Sequence, residues 1–247
     1  MPKFAANLSF QFQDIDFFER FAAAAECGFQ AVEYLFPYDY SADELKGALS
    51  ANGLAQLLFN LPPGDWDAGE RGLAALPGRE ADFRDAVALA GDYAEALGCK
   101  QVHAMAGIVP EGDDPAPYEE TYIANLRYAA DYFAARGIRS LIEPLNIFDM
   151  PNYLLNGSKQ ARRIIEAVGS DNLYLQYDVY HLQIMEGNLA HSFERDLDII
   201  SHVQIAGVPG RSEPSDGEIS YPYLFALFDW LGYDGWVGCE YRPEGET

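Results

Sequence analysis

Short apolar runs alternate with longer stretches of helical periodicity along the whole chain. Residues 4–8, 31–35, 54–59, 100–104, 139–143, 173–177, 202–206 and 236–240 read as strands. Between them lie amphipathic segments with helix stop signals. Asp14 or Asp16 is placed to cap the first helix, which runs over Phe17, Phe18, Phe21 and Ala25 and stops near Gly28. Ser41 caps the second, which ends near Gly53. Further helices are expected at 80–97 (stopped by Gly98), 118–136 (stopped by Gly137), 158–168, 187–200 and 221–231. Two long connections interrupt the rhythm. Residues 60–79 carry Pro62, Pro63, Gly64, Gly69, Gly72, Pro77 and Gly78, and 107–117 form a second loop; structureless loops of this length often serve as lids.

Eight strands in strict alternation with seven helices imply parallel strands joined by right-handed crossovers. A closed barrel and an open doubly wound sheet both satisfy this pattern. Eight units in 247 residues favour a (β/α)8 TIM barrel, with residues 1–247 as a single domain. No GxGxxG follows the first strand, which weakens a dinucleotide-binding reading. The sequence stops soon after its eighth strand: either it is truncated there, or the last helix is expected to be short or missing, or its place is taken by a partner subunit.

Charge narrows the function. Sixteen basic against thirty-nine acidic residues give a formal charge of −23, which argues against nucleic acid or an anionic membrane surface as partner. An anionic substrate would then need locally placed positive charge, from a metal or a few arginines. Cys27, Cys99 and Cys239 are odd in number and widely spaced, as expected of thiols in a reducing compartment. No signal peptide or membrane span is visible, and a cytoplasmic protein is expected. The oligomeric state is left open, a homo-oligomer included.

Four polar residues recur at one topological place. Glu143, Asp178 and Glu240 end the fifth, sixth and eighth strands, and Gln204 lies near the end of the seventh. In a barrel all four meet at the C-terminal mouth, where barrel enzymes place their active sites. Any one of them could be an ordinary strand-end residue; the argument rests on the set. Three converging carboxylates repel one another, and a divalent cation relieves that. With an amide oxygen they form a hard donor set suited to one Mg2+ or Mn2+ more than to zinc.

The chain resembles the hydroxypyruvate isomerase family, within the xylose-isomerase-like barrels. The resemblance is carried by Asn7-Leu8-Ser9-Phe10, Glu33-Tyr34-Leu35-Phe36-Pro37-Tyr38, Asn60-Leu61-Pro62-Pro63-Gly64-Asp65-Trp66, Ile142-Glu143-Pro144-Leu145-Asn146, Tyr177-Asp178-Val179-Tyr180-His181, His202-Val203-Gln204-Ile205-Ala206 and Gly238-Cys239-Glu240-Tyr241. It implies an isomerase interconverting hydroxypyruvate and tartronate semialdehyde, or related 2-oxo-tetronate acids. It further implies metal ligands Glu143, Asp178, Gln204 and Glu240, with Glu143 and Glu240 as the acid/base pair. Such chemistry suits the residues: moving a carbonyl by one carbon takes a proton from one carbon and returns one to its neighbour.

Further contacts are expected from His181, three residues beyond Asp178, and His103, at the end of the fourth strand. His202 should lie deeper, in the core, and His191 on the surface. Arg71 and Arg211 are the candidates for binding a substrate carboxylate. Asn7, Tyr34, Phe36 and Trp66 are candidate pocket walls, and Glu213 and Glu218 could hold Arg211 or a neighbouring ligand. Three other readings compete: a ketose 3-epimerase, which usually carries histidine where this chain has Gln204; an endonuclease-IV-like phosphodiesterase, against which the charge and the four histidines argue; and a non-catalytic binding barrel.

Overall fold

The computed structural model describes residues 2–245. Its strands are β1 (Lys3–Asn7), β2 (Ala31–Glu33), β3 (Ala55–Gln56), β4 (Phe59–Asn60), β5 (Gln101–His103), β6 (Arg139–Ile142), β7 (Leu173–Asp178), β8 (Ile200–Ile205) and β9 (Trp236–Cys239). The helices are α1 (Glu19–Glu26), α2 (Ala42–Asn52), α3 (Glu80–Leu97), α4 (Ala116–Ala134), α5 (Ser158–Val168), α6 (Val179–Met185), α7 (Leu189–Asp196) and α8 (Tyr221–Leu231).

All strand pairs are parallel and belong to one sheet, in the order β3-β2-β1-β9-β8-β7-β6-β5-β4. The two ends of that order are one run of chain, because only Leu57 and Leu58 separate β3 from β4. The run bonds to both neighbours: Leu57 N–H donates to Val32 O at 2.9 Å, Asn60 N–H to Leu35 O at 2.8 Å, and Leu61 N–H to His103 O at 2.9 Å. The nine segments therefore make eight staves of a closed TIM barrel.

Several expected boundaries hold for local reasons. Ser41 forms a capping box with Glu44 at the start of α2, and Gly53, Gly98, Gly169 and Gly232 end their helices in the left-handed conformation. Others need correction. Neither Asp14 nor Asp16 caps α1 with its side chain; Phe18 is its first flanking residue, and Asp16 joins the preceding turn through its backbone, its carbonyl accepting from Glu19 N–H and its N–H donating to Glu19 Oε2. The 118–136 helix begins at Ala116 because Pro115 and Pro117 suit a helical first turn, and it ends at Ala134. The helix expected over 187–200 is only α7. A separate helix, α6, precedes it, started by the Asp178 side chain accepting from Tyr180 N–H at 2.7 Å. No helix follows β9 among the described residues, and none of the helices is long and apolar enough to cross a membrane.

The core lies both inside the barrel and between barrel and helices. Every residue of β8 is buried, which is why its polar residues require partners within the protein. The 61–79 loop folds against the exit of β5, with Ala74 N–H donating to Met105 O at 3.4 Å and Ala75 N–H to Ala106 O at 2.8 Å, and it closes on itself through Gly72 N–H to Pro63 O at 2.8 Å. Gly72 sits at φ 120°, where a Cβ would stand 2.4 Å from Met105 O.

Candidate active site

Parallel strands deliver the strand-end residues to one mouth. Glu143 follows β6, Asp178 ends β7 and Glu240 follows β9; with His181 on α6 they offer four ligand atoms that lie within 4.8 Å of one another, all on buried residues. Burial, then the charges of Glu240 and Asp178, hold Glu143 well above the usual carboxylate range. Burial raises Asp178 as well, against the lowering effects of Arg211 and two backbone N–H groups. Burial pushes Glu240 up to about 8, although Arg211 pulls it down.

Oε1 of Glu143 and Oδ2 of Asp178 are buried without a hydrogen-bond partner. Asp178 divides its labour, since its other oxygen caps α6. Two orphaned acceptors inside a carboxylate cluster are what a cation site presents. This buried group could hold a metal ion.

A cavity of about 510 Å3 opens beside the cluster, with Glu143, Glu240, His103, His181, Arg211 and Trp66 in its wall. The two histidines carry opposite tautomers. Asn146 backbone N–H donates to His181 Nδ1 at 3.1 Å, so the ring's proton sits on Nε2, 3.6 Å from Asp178 Oδ2. In this tautomer His181 offers a donor and no ligand atom, which leaves the three carboxylates of the cluster to face a cation. At His103, Nδ1 lies 3.1 Å from Asn60 Oδ1 and 3.5 Å from Glu143 Oε2, two acceptors, which puts the proton there. Its Nε2, buried without a partner, is left as a bare acceptor. Burial holds both rings neutral, pulling His103 down to about 3 and His181 well below its ordinary value, the latter helped by Arg211 and His103.

Arg211, in the loop after β8, places Nη2 2.5 Å from Glu240 Oε2 and 3.8 Å from Asp178 Oδ2, with its guanidinium between the rings of Phe10 and Tyr180. Arg71 goes elsewhere. It donates to the carbonyls of Trp66 and Glu70 and stacks at 3.8 Å on the Trp66 ring, so it staples the 61–79 loop and is absent from the cavity wall. Trp66 and Phe36 meet edge to face in that wall.

Asn7 is buried behind the mouth, where Nδ2 lies 3.0 Å from Glu33 Oε1 and 3.2 Å from Glu240 Oε1. Tyr34 packs in the core against Phe17 and Phe21, outside the wall. Glu213 accepts from Glu244 N–H and Glu218 from Gln183, so neither holds Arg211. His202 is a core residue and His191 is exposed.

Gln204 stands in register with Asp178 on β7 and Gly238 on β9. Its Oε1 accepts from Gln176 Nε2 at 2.6 Å, and its Nε2 donates to Glu33 Oε1 at 2.8 Å. One lone pair of Oε1 stays free for a further partner. Sequence reasoning assigned no role to Glu33, Asn60 or Asn146. The one available signal was Glu33 itself, a charge directly after two apolar residues of a three-residue strand that is buried throughout.

A parallel barrel whose C-terminal mouth gathers these carboxylates defines a xylose isomerase-like TIM barrel, and the family model of that description matches residues 21–247. The 2-oxo-tetronate isomerase of Cupriavidus necator is 55% identical over 247 residues, covering all of this chain and 95% of that protein. The hydroxypyruvate isomerase of Escherichia coli is 50% identical, covering all of this chain and 96% of that protein. The chain belongs to this hydroxypyruvate isomerase family. A crystal structure described as AP endonuclease, family 2, from Brucella melitensis superposes with a TM-score of 0.98 at 53% identity, over the full chain and 95% of its own. An L-ribulose 3-epimerase structure matches at TM-score 0.81 and 21% identity, covering 99% of this chain and 82% of its own, and shows the shared fold alone.

Proposed function

We propose that this protein is an aldose–ketose type isomerase that interconverts hydroxypyruvate and tartronate semialdehyde, or a 2-oxo-tetronate with its aldehydic isomer. The observation that carries the reading is the pairing of Glu143 and Glu240. Both are buried and raised in pKa, and they sit within one 4.8 Å cluster on one cavity, in a chain half identical to named isomerases of this substrate class.

Glu143 and Glu240 act as base and acid. One removes the proton from the carbon bearing the hydroxyl, and the other returns a proton to the former carbonyl carbon. Their raised pKa values bring proton exchange toward neutral pH. The His181 Nε2–H donates to the oxygen that gains negative charge in the enediolate, and the bare Nε2 of His103 accepts from a substrate hydroxyl. Arg211 is the cation that holds the substrate carboxylate. Glu143, Asp178, Gln204 and Glu240 would hold one Mg2+ or Mn2+, which supplies Lewis-acid stabilisation of the enediolate. The 61–79 loop, through Trp66, covers the cavity and keeps water from the intermediate. Free cysteines and the acidic surface fit a cytoplasmic enzyme. That same charge, and the single histidine in the cluster, weigh against an endonuclease reading.

The test is an NMR assay of hydroxypyruvate in D2O with Mg2+ or Mn2+. The aldehydic isomer should appear together with deuterium at the carbon next to the carbonyl, and both should stop on adding a chelator. Turnover that is indifferent to the chelator, or no exchange with any small 2-oxo acid, overturns the reading.

A further inference from the structure

Below the mouth, β2 turns Glu33 into the barrel, and its carboxylate is buried. All its partners are donors. Oε1 accepts from Asn7 Nδ2 at 3.0 Å and from Gln204 Nε2 at 2.8 Å, and Oε2 lies 2.6 Å from His202 Nε2. The His202 proton is on Nε2, because its Nδ1 faces the Gln101 amide nitrogen at 3.2 Å, whose oxygen in turn accepts from Ser201 at 3.0 Å. Space for the carboxylate comes from Gly238 on β9, where a Cβ would stand 2.3 Å from Glu33 Oε1.

An acceptor-only group facing two amides decides which way both amides point. We propose that Glu33 is a positioning residue for the mouth: together with Gln176, whose Nε2 donates to Gln204 Oε1 at 2.6 Å, it keeps the NH2 of Gln204 turned inward, so that the second lone pair of Oε1 is what Gln204 offers a cation, and it aims Asn7 Nδ2 at Glu240. A Gln204 amide turned the other way would present a donor to the cation position and set its oxygen against the Glu33 carboxylate. The alternative role is plain core stability, with Glu33 serving only as the buried partner of His202. The proposal rests on the reading above that Gln204 belongs to the cation site.

The two roles separate in Mn2+ binding to chelator-treated protein, measured by titration calorimetry without substrate, with folding checked by circular dichroism. Glu33→Gln puts a donor among three donors and should weaken Mn2+ binding by roughly 10- to 100-fold. Exchanging the groups, Glu33→Gln with Gln204→Glu, restores an amide–carboxylate bond and should recover most of the affinity. Should the single variant not fold, the exchange is compared with Gln204→Glu alone, in which two carboxylates face each other; tighter Mn2+ binding in the exchange supports the proposal. Wild-type binding by Glu33→Gln, or an exchange no tighter than the single variants, overturns it while leaving the functional reading intact. Wild-type protein that takes up no Mn2+ overturns both.

Discussion

Arg211 reaches Glu240 across the mouth, with Nη2 2.5 Å from Oε2, and it does so from a left-handed backbone position at φ 55°. The same guanidinium is 3.8 Å from Asp178 and 3.9 Å from Asp149, so one cation serves several carboxylates and still borders the cavity. Removing it should act on both substrate and Glu240. Arg211→Gln is expected to raise KM for the anionic substrate about tenfold or more, the scale of a lost charge-assisted pair. It should also shift upward the pH at which Glu240 loses its proton, because Arg211 is what pulls that group down toward 8. Steady-state kinetics from pH 6 to 9.5 read both effects; an unchanged KM rejects Arg211 as the carboxylate anchor.

The acid/base pair gives a sharper prediction. Glu143→Gln and Glu240→Gln should each lower kcat by about 10²- to 10⁴-fold, the range of a lost general acid or base. Solvent deuterium incorporation should fall with it. Full turnover in either variant removes that residue from the mechanism.

Stability of the metal-free protein should depend on pH in an unusual direction. Burial raises Glu143, Asp178 and Glu240 in the folded state, Glu240 to about 8 from its ordinary 4.5. A group that binds its proton more tightly when folded stabilises the fold below its unfolded pKa, and that contribution is lost as pH rises through the folded value. The melting temperature in chelator should therefore fall between about pH 5 and pH 8. Carboxylates lowered by arginines, such as half-buried Glu119 and exposed Asp198, titrate below that window and do not mask it. Mn2+ should restore stability most at high pH, where it no longer competes with protons. Differential scanning fluorimetry with and without metal measures this; a flat profile in chelator contradicts the buried like-charge cluster.

The lid has its own test. Gly72→Ala forces a Cβ to 2.4 Å from Met105 O at a φ of 120°. The loop base must shift, at a cost of roughly 1–3 kcal/mol. Limited proteolysis should then cut within 61–79 faster than in the wild type, with KM raised. Trp66→Ala, which removes part of the cavity wall, the Arg71 stack and the edge contact with Phe36, should raise KM with little change in melting temperature.

Much of this molecule is written locally. The alternation of strands and helices, the Ser41 cap and the glycine stops follow from neighbours a few residues apart, and they suffice to predict the barrel. Because parallel strands end at one mouth, Glu143, Asp178 and Glu240 converge wherever the barrel closes, so that cluster was readable too. What the tertiary structure decided is which group each side chain faces. Glu33 meets Gln204 across 171 positions of sequence and Asn7 across 26, and His181 meets Asn146 across 35. Arg71 and Arg211 are both loop arginines in the sequence, yet one stacks on Trp66 and the other enters the carboxylate cluster. Hydrogen bonds depend on distances of a few tenths of an ångström between groups far apart in the chain. No periodicity encodes them, so tautomers, amide orientations and the division of labour among like residues emerge only once the barrel is closed.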